Sequence, residues 1–212
     1  DIYPAHLLDA YIEGKFVNLT SGTVYIGFDR HKNGTNETEE AGEPLFVGMD
    51  FNVGQMAAVI HVKREGAPVA VGEVCNAYDT PDMCRILQDR YPGHSIIVYP
   101  DASGESRRSN NASQTDLKIL RDHGFSVHAP KKNPPVRDRI NAMNAAFEKG
   151  YRVNTDRCPV YTRCLEQQAY DKNGEPDKTQ GLDHHPDAGG YFIHYDYPLV
   201  KPAISSSLKM RV

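Results

Sequence analysis

Residues 46–52 read FVGMDFN. Val47, Met49 and Phe51 alternate with Gly48, Asp50 and Asn52, and a period of two marks a strand with two faces. Asp50 and Asn52 then share one face, and Gly48 leaves room beside them. A carboxylate on such a strand is costly to bury unless something cationic meets it. Taken alone, Asp50 reads as an acid accepting hydrogen bonds at a strand end. The rest of the chain points further.

Downstream of this stretch the pattern is regular. Ala57–Val62 and Val69–Cys75 are strand candidates, separated by a turn at Gly66, Ala67 and Pro68, which makes an antiparallel meander. Thr80 is placed to cap a helix, with Pro81 at its first position and Asp82 in its first turn, running to about Tyr91 and stopped by Pro92 and Gly93. Ser95–Tyr99, SIIVY, is a buried strand that also ends in an acid, Asp101. A polar loop 102–112, a helix 113–123, a short strand 126–129, helices from about 135 to 149 and 159 to 170, and a last helix 185–194 complete the pass. Three antiparallel strands followed by strands alternating with helices predict an α/β domain with a mixed sheet flanked by helices.

Upstream, residues 1–44 do not read as a self-contained domain. Pro4–Glu13 has helical spacing ended by Gly14, Thr23–Phe28 is a short strand candidate, and His31–Pro44, rich in glutamate and glycine, reads as a solvated linker. Residues 45–200 form the expected domain, and residues 201–212 read as a flexible tail.

Composition narrows the class. The 212 residues suffice for one sizeable core, and the chain opens at Asp1, as a piece of a longer protein would. No apolar run is long enough to span a membrane and no secretory signal opens the chain. Mean hydropathy is −0.58. The formal net charge of −4 is not that of a typical nucleic-acid binder. None of the four cysteines, Cys75, Cys84, Cys158 and Cys164, stands in C-x-x-C spacing, so the sequence supports neither a zinc site nor a redox motif, and they read as reduced core thiols. There is no G-x-x-x-x-G-K-[ST] and hence no P-loop ATPase in these residues.

The chemistry lies in the acids. Should the strands ending in Asp50 and Asp101 be parallel neighbours, their carboxylates lie together at the carboxyl edge of the sheet, where open α/β sheets bind ligands. A third acidic cluster, Asp183, His184 and Asp187, sits at the head of the last helix. Two unit charges ~4 Å apart repel by roughly 4 kcal/mol at an effective dielectric near 20. Such a cluster either raises its pKa values or holds a metal. Aspartates without cysteine ligands favour Mg²⁺ or Mn²⁺ over zinc.

FVGMDFN, then IIVYPDASG, then LDHHPDAGGY, in that order, resemble the nuclease domain of the large terminase subunit of tailed bacteriophages, with the P22-like short-tailed phages as the nearest match. The opening HLLDAYIEGKFVNLTSGTVYIGF is similar to the segment that follows the packaging ATPase domain in these proteins, so the resemblance covers most of the chain. It implies a ribonuclease H-like fold of the retroviral integrase superfamily. It also implies an endonuclease that cuts concatemeric double-stranded phage DNA with two divalent ions, Mg²⁺ or Mn²⁺. The family's three acids fall on Asp50, Asp101 and Asp187, with Asp50 placed to bridge both ions. Asp183 and His184 are added as metal-site candidates.

Further expectations follow the resemblance. The partners are double-stranded DNA without sequence specificity, the ATPase domain of the same full-length protein, the portal protein and the small terminase subunit, with no membrane. The place of action is the host-cell cytoplasm, on the procapsid. Arg107, Arg108, Lys131, Lys132, Arg137 and Arg139 are the candidates for phosphate contacts. A resolvase or transposase core of the same superfamily would share the acids without the LDAYIEG lead-in. A catalytically dead nuclease fold used for docking is the non-enzymatic alternative.

Overall fold

The computed structural model describes residues 22–52, 54–102 and 115–199. The expected helix Pro4–Glu13 and the tail 201–212 lie outside them. Seven strands form one mixed sheet in the order β1-β7-β4-β3-β2-β5-β6. They are β1 Gly34–Thr35, β2 Leu45–Asp50, β3 Met56–Arg64, β4 Ala67–Ala77, β5 Ile96–Pro100, β6 Ser126–Val127 and β7 Arg152–Asn154. The meander β2-β3-β4 is antiparallel, whereas β2–β5, β5–β6, β4–β7 and β1–β7 run parallel.

The period of two in β2 sorts its side chains between two cores. Leu45, Val47 and Met49 are fully buried against α2 (Thr80–Arg90) and α3 (Asp116–Asp122) through Met83, Leu87, Leu117 and Leu120. Phe46 turns to the opposite face, where α4 (Val136–Glu148), α5 (Pro159–Gln167) and α6 (His184–Asp196) supply Met143, Phe147, Tyr161, Phe192 and Ile193. Gly48 and Asp50 share the face of Phe46. Both faces of the sheet are therefore covered by helices, as parallel pairing requires.

Helix α6 lies directly on the sheet because β2 carries no side chain at Gly48. A Cβ there would collide with the Ala188 carbonyl. Gly189 leaves room for the Tyr161 ring on the other side of the same helix turn. Burial also sets the polar order inside this core. His61, fully buried, bonds Phe46 O at 3.1 Å and the Tyr151 hydroxyl at 2.7 Å. Burial pushes its pKa down to about 3, so the ring is neutral.

Several local expectations are corrected. Thr23–Phe28 is not a strand: Thr23 makes a single bridge to Ala169, and the rest is a turn. The Asn144 amide satisfies its backbone instead, accepting from Gly27 N–H at 2.9 Å and donating to Val24 O at 3.0 Å. Asp79, rather than Thr80, caps α2, its carboxylate accepting from Asp82 N–H at 2.9 Å. The Thr80 hydroxyl turns to Asp116 at 2.6 Å. The stretch read as a solvated linker contains a helical turn, α1 (Arg30–Asn33), and strand β1. Its glutamates are tied to the sheet: Arg64 to Glu43 at 2.6 Å, Arg152 to Glu37 at 3.0 Å and Arg157 to Glu39 at 2.6 Å.

Gly48→Ala is expected to lower stability by about 1–3 kcal/mol, the usual cost of overpacking, because backbone rather than a flexible side chain opposes the new methyl. Urea unfolding checks it. An unchanged midpoint would show that α6 does not rest on this position.

Candidate metal centre

The register of β2 against β5 pairs Gly48 with Tyr99 and Met49 with Pro100. The next pair along is Asp50 and Asp101, and the Asp101 N–H donates to Met49 O at 3.2 Å. The sequence condition for bringing these two acids together, parallel neighbouring strands, is therefore met. Asp101 is 8 % exposed. The third acid arrives from above: Ala188 sits over Gly48, and Asp187, one residue earlier in the first turn of α6, comes to the same edge.

The convergence shows in the electrostatics. The Tyr191 phenol is pushed well up, first by burial and then by the negative charge of Asp187, Asp101 and Asp50, with Arg139 opposing. Asp187 and Asp50 each meet a cationic or protonatable partner. Arg139, 5 % exposed, donates from Nη2 to Asp187 Oδ1 at 2.7 Å while its guanidinium lies 4.5 Å from the Tyr191 ring centre. Burial raises the Asp187 carboxyl, Arg139 pulls it back, and the charge of Asp50 raises it again. His184 Nδ1 lies 3.0 Å from Asp50 Oδ2, and its Nε2 lies 3.1 Å from the Asn52 amide nitrogen. With that amide donating to Nε2, the ring proton sits on Nδ1 and faces the carboxylate. Asp50 and Asn52 share a face, as the period of two predicts, and clamp His184 between them.

Asp183 stands at the N-cap position of α6 without a side-chain capping bond. Its carbonyl accepts from Asp187 N–H at 2.8 Å, and its buried carboxylate lies 3.4 Å from Lys178. Its charge also reaches His184.

The basic candidates separate. Lys131, Lys132 and Arg137 are exposed, on the loop and helix start beyond β6. Arg107 and Arg108 lie outside the described residues. Arg139 is corrected: it is not a surface group waiting for a phosphate but a buried partner of Asp187. The signal was in the spacing, since Arg139, Met143 and Ala146 fall on one helical face, all buried, and exposed Arg137 does not.

The model of the terminase RNaseH-like domain family matches residues 47–196. This chain belongs to that family. No curated protein matches it. The large terminase of a thermophilic bacteriophage, solved with ATP-γ-S, is similar at TM-score 0.64 and 22 % identity, over 91 % of this chain and 49 % of that one. The P22 large terminase nuclease domain is similar at TM-score 0.64 and 16 % identity, over 84 % of this chain and 94 % of that one. The large terminase nuclease domain of bacteriophage SPP1, solved with bound Mn, is similar at TM-score 0.52 and 21 % identity, over 78 % and 97 % of the two chains. At these identities the likeness is one of fold, ribonuclease H-like, and it does not single out the P22-like subtype. This terminase RNase H-like chain spans about half the length, 49 %, of the thermophilic-phage terminase solved with ATP-γ-S.

In the metal-free domain, His184 is expected to titrate above its ordinary value of 6.5, because the Asp50 carboxylate accepts its proton, burial opposing and Asp183 and Asp187 adding. The stability contributed by this pair is then complete below the unfolded-state value and is lost as pH rises through the higher folded-state value. NMR titration of the ring checks it. Asp50→Asn should bring the value down, and an unshifted ring with Asp50 intact would break the pairing.

Proposed function

We propose that this chain is the metal-dependent endonuclease domain of a phage large terminase, cutting concatemeric double-stranded DNA during genome packaging. The observation that carries this reading is the meeting of Asp50, Asp101 and Asp187 at the carboxyl edge of β2 and β5, in a chain of the terminase RNase H-like family. Mn bound to the SPP1 nuclease domain, and Mg or Co bound to that of phage G20c, support a divalent ion as the cofactor here.

The donor chemistry suits such an ion, although the three carboxylates are not drawn to within 4.8 Å of one another. It offers carboxylate oxygens alone, which suit Mg²⁺ or Mn²⁺, and its like charges already draw in Arg139 and His184. Two ions held there would supply an activated water and neutralise charge at the leaving 3′ oxygen. Asp50, on the strand paired with both β3 and β5, would serve both ions, with Asp101 and Asp187 serving one each. Before loading, Arg139 and His184 hold Asp187 and Asp50 against their mutual repulsion. Lys131, Lys132 and Arg137, all exposed, would meet phosphates, and such contacts position a duplex without reading its bases.

The ATPase domain of the full-length protein, the small terminase subunit and the portal are the proposed partners, in the host-cell cytoplasm. The family match across residues 47–196 favours this reading over a resolvase or transposase core. A docking module without catalysis is separated by experiment.

Plasmid digestion with Mg²⁺, Mn²⁺ or EDTA is the direct test. Cleavage is expected with either metal and none with EDTA. Asp50→Asn should abolish cutting while the domain stays folded, since relief of repulsion among the acids offsets the loss of the pairing with His184. Undiminished cutting by Asp50→Asn would remove Asp50 from the mechanism, and no cutting by the wild type under any metal would favour the docking module.

Affinity gives a second check. With a formal net charge of −4 and an acidic centre, the domain alone is expected to hold random duplex weakly, at a Kd on the order of 10⁻⁵ M or weaker near physiological salt. Binding should tighten with Ca²⁺, a metal that supports binding with little cleavage. A salt titration measures this, and nanomolar binding without metal would refute the charge argument.

A further inference from the structure

Strand β4 carries Glu73 and Cys75 towards the helices of the α6 face, and His185 is the second residue of α6. Their ligand atoms all lie within 4.8 Å of one another, the one such convergence of three histidine, cysteine or acidic side chains among the described residues. Cys75 Sγ is 3.3 Å from His185 Nε2. Glu73 and His185 are buried, and Cys75 is half-buried.

Glu73 is held by its neighbours. Glu73 Oε1 accepts from Val160 N–H at 3.0 Å and Oε2 from Tyr161 N–H at 2.7 Å, capping α5 in place of Cys158, which provides no side-chain cap. Each carboxylate oxygen has a second lone pair, so the acid stays competent as a ligand. Backbone bonds of this kind are what orient ligating carboxylates at metal sites.

We propose that Glu73, Cys75 and His185 form a second metal site, separate from the aspartate centre, that takes a borderline transition ion of the Zn²⁺ class. A thiolate, an imidazole and a carboxylate make a mixed S, N and O set suited to zinc, with a fourth position left for water. Mg²⁺ and Mn²⁺, which favour oxygen, are poorly served by it. On binding, the Cys75 S–H bond breaks, a sulfur–metal bond forms and the proton passes to solvent. The ion ties β4 to the start of α6. His185 follows His184 directly and precedes Asp187 by two residues, so the tie falls on the turn that carries the third acid of the aspartate centre.

Co²⁺ titration of the metal-stripped chain tests the site, because thiolate ligation gives a near-ultraviolet charge-transfer band that an oxygen-only centre does not. The band is expected at one equivalent, to persist in excess Mg²⁺ and in Asp50→Asn, and to yield to Zn²⁺. Cys75→Ser should abolish it, and His185→Ala should weaken Co²⁺ affinity by about tenfold or more. In the wild-type chain, Zn²⁺ should protect Cys75 from alkylation, mapped by peptide mass spectrometry, which needs no variant to fold. A missing band with Cys75 alkylated equally with and without Zn²⁺ overturns the proposal. So does a band that survives Cys75→Ser, or one lost in Asp50→Asn, which would place the ion at the aspartates.

Discussion

The Ala188 carbonyl rests where Gly48 has no side chain, and the geometry of the acidic centre depends on that contact. A helix normally stands off a sheet by the length of the side chains between them. Here the backbone of α6 meets the backbone of β2, so an acid in the first turn of the helix reaches the level of two acids at strand ends. Any larger residue at position 48 would lift Asp187 away from Asp50 and Asp101. Neighbouring strand ends can supply two adjacent acids by register alone. The third needs an element that crosses over them.

Bringing carboxylates together in a half-buried place raises an electrostatic cost, and the fold meets it with groups from its own core. Arg139 comes from the buried face of α4, stacked on Tyr191 and bonded to Asp187. His184 comes from the head of α6 itself, held between Asp50 and Asn52. Arg139 is a local counter-charge and His184 a local hydrogen-bond donor, in a chain whose net balance is acidic. The acids of this centre are therefore held by partners from the chain itself. The same first turn of α6 supplies His184 to the aspartates and His185 to Cys75 and Glu73. Successive residues of a helix point about 100° apart, so one turn faces two separate clusters of side chains.

Much of this was legible in the linear sequence. The alternation in FVGMDFN, the apolar run ending at Asp101 and the acidic head of the last helix placed all three acids at element ends, because period and breaker residues are local properties. Gly48 was visible as a gap, and Asn52 as a neighbour of Asp50 on one face. Arg139 reads as a surface contact when charge is weighed ahead of periodicity. Its spacing with Met143 and Ala146 already puts it on a buried face.

The sequence by itself determined most of the element order from β2 onward and where in those elements the three acids fall, since each of these depends on residues within a few positions of one another. Tertiary structure decided what lies opposite what. That Arg139 meets Asp187, that Asn52 and Asp50 share His184, that the acidic stretch before β2 is bound by arginines from β3, β7 and the loop after it, and that Glu73, Cys75 and His185 converge are all pairings between distant segments. No local propensity encodes them. They follow from strand register and from how closely α6 can approach the sheet, and both are properties of the packed chain.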